Sequence, residues 1–75
     1  LRPKGLVLEH GCGSGALSIF VARNFDVSKV ICYDISEQSL LAARLNVRLN
    51  GVEDRVVVTD RIYNVKEVDF LVSNP

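Results

Sequence analysis

Glycines alternate with other residues in one short segment that begins at an acidic side chain and reads Glu9-His10-Gly11-Cys12-Gly13-Ser14-Gly15. Because glycine has no side chain, it lets a ligand approach the backbone and tolerates positive φ angles. A helix that starts directly after such a loop also directs its first N–H groups toward the ligand. The segment therefore predicts binding of a nucleotide-like ligand. The alternative is a tight turn that only packs a strand against a helix.

Two acidic residues bear on which cofactor suits this loop. Gly11, Gly13 and Ala16 satisfy the relaxed dinucleotide pattern G-x-G-x-x-A. Asp34 lies 18 residues beyond Ala16 and could hold a ribose hydroxyl pair, as it would for NAD or another nucleotide cofactor. Glu9 distinguishes a dinucleotide from a cofactor that contains methionine, because its carboxylate would repel a pyrophosphate and attract the ammonium of a methionine group. This favours a cationic sulfonium ligand, with a solvated charge at a strand end as the alternative interpretation of Glu9.

Strands and helices alternate along the chain. Short apolar or β-branched runs predict strands over 6–8, 30–33, 55–59 and 68–72, with a turn over 26–29. Apolar residues at helical spacing predict helices over 16–25 and 37–50. Strands separated by helices of this length imply an α/β fold with a parallel sheet. The 61–67 connection is long enough to cross to the far side of the first strand with one helical turn on the way, so the predicted strand order is 3-2-1-4.

Both helices carry recognisable boundary and face signals. Ser36 is a good N-cap for the second helix, and Asn50-Gly51 is a typical stop. The predicted apolar face of the first helix comprises Leu17, Ile19, Phe20, Val21 and Ala22. That of the second comprises Leu40, Leu41, Ala43, Val47 and either Leu45 or Leu49.

Two successive right-handed crossovers in one direction put both helices on the same face of the sheet. The strands nevertheless have the apolar character of strands buried on both faces. We therefore expect the second face to need a cover from outside this segment, and the sequence to be an excerpt from a longer chain.

Composition excludes several classes of protein. Nine basic and nine acidic side chains with 48% apolar residues fit neither a disordered tail nor an electrostatic nucleic-acid binder. No apolar run has the roughly 20 residues that span a bilayer, and the start lacks the apolar core of a secretion signal. A soluble, cytoplasmic protein without membrane contact is the expectation.

The remaining candidates for chemistry are assigned structural roles. Cys12 and Cys32 fall in different elements without metal-ligand spacing, so we expect a small turn residue and a small core residue, with no disulfide and no metal site. His10 is expected to be a packing or surface residue rather than a base.

Four motifs in this order resemble one family. The run from Val7 to Ser18 resembles the E/D-x-G-x-G-x-G motif of Rossmann-like S-adenosylmethionine-dependent methyltransferases. Asp34-Ile35-Ser36 resembles the acidic end of that family's second strand, and residues 42–51 resemble its second helix. Residues 68–75 resemble the strand leading into the N-P-P-Y/F motif of the amino-methylating branch. The resemblance covers nearly the whole chain and identifies residues 1–75 as the N-terminal, cofactor-binding part of a methyltransferase domain that stops inside the N-P-P motif.

The resemblance implies a role for each matching position. Glu9 would bind the methionine end of S-adenosylmethionine, Asp34 the ribose hydroxyls and Asp60 the adenine amino group. The glycines at 11, 13 and 15 would pass under the cofactor. A strand-end turn is the alternative reading of Asp60.

The last two residues would carry the catalytic step. The Asn74 side-chain oxygen and the Pro75 carbonyl could accept the hydrogens of an amide or amino nitrogen and orient it toward the methyl group, chiefly by positioning and electrostatic stabilisation. A turn after a strand is the alternative.

The resemblance is nearest to the protein-glutamine (HemK-like) methyltransferases that modify release factors. We therefore expect an N-methyltransferase that acts on a protein glutamine or a similar nitrogen. Ribosomal-RNA guanine methylation and DNA adenine methylation are alternatives, so the partner would be a release-factor-like protein or a nucleic acid. Readings of another class are an NAD-dependent oxidoreductase and a non-catalytic binding fragment.

Overall fold

A computed structural model describes residues 2–61 and 65–73 of the chain. Its strands are β1 (Gly5–His10), β2 (Val27–Tyr33), β3 (Val56–Thr59) and β4 (Phe70–Ser73). Its α-helices are α1 (Ala16–Asn24) and α2 (Glu37–Leu49), and one 3-10 turn (Val65–Glu67) precedes β4. The four strands form one parallel sheet in the order β3-β2-β1-β4. The predicted α/β fold and strand order are confirmed.

The first two strands are longer than the apolar runs that predicted them. β1 extends through His10, so Glu9 lies inside a strand and not at its solvated end. β2 begins at Val27, where a turn was predicted. The turn is shorter because Phe25 is already extended, with φ −128° and ψ 158°, directly after α1 ends at Asn24.

The boundary signals of α2 are confirmed. The Ser36 side chain accepts a hydrogen bond from the Ser39 backbone N–H at 3.3 Å, which caps the helix. At the other end Gly51 has φ +67° and donates its N–H to the Arg48 carbonyl at 3.0 Å. A left-handed residue just beyond the last turn is the usual way to satisfy a helix's final carbonyls.

The main core lies between the sheet and the two helices, which pack on the same face. Valines of the strands meet Ile19, Val21 and Ala22 of α1 and Ala43 and Val47 of α2. The predicted faces are partly wrong. In α1 the buried set includes Ser18, while Leu17 and Phe20 are exposed; in α2 the exposed leucines are Leu41, Leu45 and Leu49. Because Ser18 faces the core together with Ile19, Leu17 and Phe20 lie on the outward side of α1.

The other face of the sheet carries a smaller cluster. Leu8, Ile31 and Tyr33 are buried there, with Val68 among the partly buried residues packed against them. Val68 belongs to the segment that leads into β4, so the β3–β4 connection contributes to covering this face. Part of the cover of this face therefore comes from within the segment, whereas a cover from outside it was expected. Among the described residues no helix is long and apolar enough to cross a membrane.

Candidate functional site

The sequence-predicted binding residues lie at one edge of the sheet. In the strand registers, His10 pairs with Tyr33 and Tyr33 with Thr59, so β1, β2 and β3 end side by side. Glu9 is in the last part of β1, and Asp34 and Asp60 follow β2 and β3 directly. Open parallel sheets bind ligands at this carboxyl edge, beside the point where the strand order reverses. That point lies between β1 and β4, because the chain continues from β1 to β2 and β3 on one side and then returns to β4 on the other side of β1.

The glycine loop connects β1 to α1 in a conformation that requires glycine. Gly11, Gly13 and Gly15 have φ angles of 78°, 56° and 84°. These left-handed values are strained for residues with a Cβ atom. The loop folds back on the end of β2, because the N–H groups of Gly11 and Cys12 both donate to the Tyr33 carbonyl, at 2.8 and 2.9 Å.

The glycines differ in what surrounds them. A Cβ atom at Gly13 would meet nothing within 4 Å, so this position borders open space. A Cβ atom at Gly15 would lie 3.3 Å from the Ala43 Cβ atom, so this position is closely packed against α2. Gly13 therefore leaves room for a ligand, while Gly15 lets two elements approach.

The N-terminus of α1 opens onto the same edge. Its N-cap is Gly15, which makes no side-chain capping hydrogen bond, and the first turn has no acidic residue. The first turn brings no carboxylate of its own to the positive end of the helix dipole, and the carboxyl that the described residues place against this turn is that of Glu9, through the Ser18 hydroxyl and backbone N–H. Such an end suits an anionic group of a ligand.

Glu9 is almost fully buried, at 2% exposed. Its Oε1 atom accepts a hydrogen bond from the Ser18 hydroxyl at 2.6 Å. Its Oε2 atom is buried and has no hydrogen-bond partner in the described part of the chain. Burial raises the pKa of Glu9, and the hydrogen bonds from Ser18 oppose that rise only in part. The site thus holds a carboxyl with one oxygen still able to accept a donor.

Asp34 joins the glycine loop to the start of α2. Its Oδ1 atom accepts from the Ser36 N–H at 3.0 Å, and its Oδ2 atom accepts from the Gly13 N–H at 2.9 Å. These two hydrogen bonds, that of Ser36 first, hold the pKa of Asp34 below its usual value. A carboxylate oxygen has two lone pairs, so each atom can accept a further hydrogen bond from a ligand hydroxyl.

Asp60 is exposed and lines a shallow cavity of about 260 Å³ at the same edge. The remaining lining residues come from α2: Glu37, Leu40, Leu41 and Arg44. A hydrogen bond of 3.2 Å from the Asp34 N–H to the Thr59 carbonyl keeps the two strand ends together. The structure thus brings the three acidic residues, at 9, 34 and 60, to one edge of the sheet.

The two catalytic candidates fall outside this description. Asn74 and Pro75 lie beyond the described residues, although β4, which leads toward them, pairs with β1 through His10 and Ser73. The His10 ring packs on Tyr33, with 4.9 Å between ring centroids.

Sequence reasoning gave no individual role to three residues of this edge. Ser18 is buried against Glu9. Asn46 of α2 donates from Nδ2 to the Ser14 carbonyl at 3.0 Å and so supports the glycine loop. Ile35 follows Asp34 with 78% of its surface exposed. The sequence held a signal for two of them. Ser18 is a polar residue at a position that helical spacing places on the buried face, and Ile35 is an apolar residue in a turn.

The expectation of two independent cysteines was wrong. Cys12 and Cys32 form a disulfide that ties the glycine loop to β2. Positions 20 residues apart in sequence come together because the loop turns back over the end of β2. The side-chain periodicity of a strand cannot reveal this contact, since it depends on the path of the loop.

The family model that matches is the methyltransferase small domain, over residues 1–75. The chain belongs to this family.

Curated relatives include ribosomal RNA small subunit methyltransferase C of Pseudomonas entomophila, which is 36% identical over 97% of this chain. The protein of the same name from Escherichia coli K12 is 37% identical over 96% of the chain. The chain spans only 22% and 21% of the lengths of these two relatives.

Solved structures show the same fold. A protein of Methanococcus maripaludis assigned as an S-adenosyl-L-methionine-dependent methyltransferase matches with a TM-score of 0.80 and 27% identity, over 95% of this chain and 34% of that one. A chain of the Trypanosoma brucei PRMT1 enzyme-prozyme heterotetrameric complex with AdoHcy matches with a TM-score of 0.79 and 36% identity, over 92% of this chain and 22% of that one. The predicted membership of the S-adenosylmethionine-dependent methyltransferases, with that cofactor, is confirmed at the level of the family.

Proposed function

We propose that this chain binds S-adenosylmethionine and that the protein carrying it methylates an amino nitrogen of ribosomal RNA. The observation that carries the proposal is Glu9: a buried carboxyl beside the glycine loop, with one oxygen that finds no donor among the described residues. An unpaired buried polar atom is costly, and the ammonium of the cofactor's methionine end would supply the missing hydrogen bond. A pyrophosphate in the same place would be repelled.

The other residues of the edge fit the remaining parts of this cofactor. The open space beside Gly13 leaves the backbone accessible, and the uncapped start of α1 suits the methionine carboxylate. Asp34 would accept the ribose hydroxyls, and Asp60 would accept from the adenine amino group. The exposed side chain of Ile35 offers an apolar surface for the adenine ring.

The cofactor, when bound, would supply a methyl group on a sulfonium sulfur; transfer of that group to a nitrogen lone pair would break the sulfur–carbon bond, leave a neutral thioether and release a proton from the nitrogen. The lone pair of an amide or exocyclic amino nitrogen is delocalised, so the protein must orient it. We assign this to Asn74 and Pro75, whose side-chain oxygen and main-chain carbonyl would accept the hydrogens of that nitrogen. The part of the chain that the structure describes ends one residue before them, in β4 beside β1.

Ribosomal RNA is the first candidate substrate because the curated relatives carry that substrate in their name. The chain itself has equal numbers of acidic and basic side chains, so RNA recognition would come from other parts of the protein. Residues 1–75 would be the cofactor-binding part of a longer methyltransferase domain. A cytoplasmic location, where both the cofactor and ribosomal RNA are found, belongs to the same proposal.

A protein glutamine amide is the second candidate. It is favoured by the Ser73-Asn74-Pro75 ending, which resembles the start of the N-P-P-Y/F motif. The same pair of acceptors would orient an amide nitrogen as well as a guanine amino group, so this segment alone does not separate them.

The test uses the protein that carries this chain with a radioactive methyl donor. It is offered small-subunit ribosomal RNA and, separately, a release factor. Labelling of RNA and not protein is expected; labelling of the release factor alone would transfer the proposal to the glutamine amide.

Asn74→Ala should suppress turnover and leave binding of S-adenosylhomocysteine unchanged, with the exposed Asn24→Ala as the control. Labelling of neither substrate by a protein that binds the cofactor would overturn the proposed substrates.

A further inference from the structure

Ser18 and Glu9 form a buried side-chain pair across the junction of α1 and β1. The Ser18 side chain donates to Oε1 of Glu9 at 2.6 Å, and the two residues are 1% and 2% exposed. In β1 the side chains alternate, so Glu9 shares with Val7 the face that α1 covers. Ser18 is the third residue of α1, in the turn that follows the glycine loop.

The surroundings of Glu9 make this hydrogen bond important. Glu9 pairs with Cys32 of β2 and Val72 of β4, and neither brings a titratable group, because Cys32 is in the disulfide. Burial raises the pKa of Glu9, and the negative charge of Asp34 acts in the same direction. The Ser18 hydroxyl and backbone N–H lower the pKa. Ser18 is therefore the residue that favours the charged form of this carboxyl.

We propose that Ser18 is a positioning residue of the cofactor site: its hydroxyl holds Oε1 of Glu9 in place, leaving Oε2 to accept from the cofactor's ammonium. This inference rests on the proposed binding of S-adenosylmethionine and adds a residue that acts only through Glu9. Serine suits the position because a hydroxyl is small enough to be buried at the helix–strand contact and still donates a hydrogen bond.

The inference predicts effects that loss of packing would not produce. In Ser18→Ala, the dissociation constant for S-adenosylhomocysteine at neutral pH should rise about tenfold, the size expected for one hydrogen bond to a charged group. The loss of affinity in Ser18→Ala should become smaller as the pH is raised, because a higher pH restores the charged form of the Glu9 carboxyl. Ser18→Thr, which keeps the hydroxyl, should bind nearly as well as the wild type. The exposed Ser28→Ala of β2 is the matched control.

Two measurements on the protein that carries this chain decide the matter. Carbon-13 NMR of the Glu9 carboxyl, which needs no cofactor, should show its titration midpoint at higher pH in Ser18→Ala than in the wild type. Calorimetry with S-adenosylhomocysteine across pH should show the matching shift in affinity. In a Glu9→Gln background, Ser18→Ala should change the affinity no further.

The outcomes separate this inference from the proposed function. An unchanged Glu9 midpoint in Ser18→Ala, or an equal loss of affinity with and without Glu9, would overturn the role of Ser18 alone. A wild-type protein that fails to bind S-adenosylhomocysteine would overturn the proposed function and, with it, the ammonium as the partner of Oε2. The NMR titration would still report whether Ser18 controls the charge of Glu9.

Discussion

At the scale of single residues, Glu9 combines a stability cost with a binding role. A buried carboxyl that keeps one oxygen unpaired is expensive for the folded state, because desolvation disfavours its charged form. The same unpaired oxygen is what a cationic ligand would use. Natural proteins accept such costs mainly at functional sites.

Replacing Glu9 by Gln should therefore stabilise the protein at neutral pH while weakening cofactor binding. The folded-state pKa is raised above its usual value of 4.5, so the stability that Glu9 contributes is fully present below that value and is lost as the pH rises through the folded pKa. Glu9→Gln should remove this pH-dependent loss of stability and raise the free energy of unfolding at pH 7 by about 1 kcal/mol, a typical size for a point substitution. Chemical denaturation of the wild type and the variant from pH 4 to pH 8 measures the free energy of unfolding.

The exposed Glu53→Gln serves as the control and should keep the wild-type pH dependence. An identical pH dependence in Glu9→Gln and the wild type would contradict a raised pKa at Glu9.

The position of individual residues could be predicted where a motif fixes it. Glu9, Asp34 and the glycines follow from residue type and spacing, and the structure brings them to one edge. Ser18 was missed because its role depends on which face of α1 turns inward, and the large apolar residues Leu17 and Phe20 favoured another face in the sequence. Hydrogen bonding to a buried carboxyl decided between the faces.

At the scale of elements, the glycine loop is held by several contacts of different kinds. Backbone N–H groups bond to the Tyr33 carbonyl, Asp34 accepts from the Gly13 N–H, and Asn46 of α2 donates to the Ser14 carbonyl. The loop is thus fixed from both β2 and α2 before any ligand arrives. A loop fixed in this way loses little conformational entropy on binding.

Alanine substitutions should separate the roles of the glycines. Gly51→Ala, at φ +67° with nothing nearby, should lower the free energy of unfolding by about 1 kcal/mol through backbone strain alone. Gly15→Ala should cost more, because its Cβ atom would also press on Ala43 at 3.3 Å. Gly13→Ala should destabilise like Gly51→Ala but lose at least tenfold in affinity for S-adenosylhomocysteine, about 1.4 kcal/mol, since its Cβ atom would enter the ligand space.

Denaturant unfolding of the three variants measures the free energy of unfolding, and calorimetry measures their affinity for S-adenosylhomocysteine. Unchanged affinity in Gly13→Ala would contradict the placement of the cofactor over this loop.

The disulfide should stabilise this junction measurably. In the chain-entropy account a bridge between positions 20 apart contributes about 3 kcal/mol by restricting the unfolded chain. Reductant should lower the melting temperature of the wild type and leave a variant with both Cys12→Ser and Cys32→Ser unaffected. Peptide mapping by mass spectrometry of the oxidised protein should recover the Cys12–Cys32 link, and recovery of both as free thiols after oxidation would contradict it.

Element boundaries marked by capping chemistry could be predicted, whereas the buried helix faces could not. Ser36 and Gly51 mark the ends of α2 through local hydrogen bonds, which the sequence encodes within a few residues. The exposed leucines Leu41, Leu45 and Leu49 carry the same apolar signal as buried ones, and only the docking of α2 on the sheet distinguishes them.

At the scale of the whole molecule, the strand order follows from connection lengths. Helices of nine and 13 residues step from β1 to β2 and on to β3, and the segment between β3 and β4 holds one 3-10 turn. The order 3-2-1-4 could therefore be predicted from the sequence. The packing of Val68 on the second face could not, because a single valine in a connection gives no periodic signal.

The family comparisons set the scale at which function can be assigned. The whole chain matches one methyltransferase family but spans about a fifth of its curated relatives, 22% and 21% in the two cases above. Cofactor chemistry can be argued from the residues at the carboxyl edge of the sheet. Substrate choice stays a proposal, because most of the length of these relatives has no counterpart in this chain.

The most direct test of the central claim is calorimetric titration of the protein that carries this chain with S-adenosylhomocysteine and, separately, with NAD. We predict binding of S-adenosylhomocysteine and not of NAD. Asp34→Ala should weaken that binding about tenfold to a hundredfold through lost charge-assisted hydrogen bonds, while the exposed Asp26→Ala should leave it unchanged. Binding of NAD in place of S-adenosylhomocysteine, or equal affinity in Asp34→Ala and the wild type, would contradict the account.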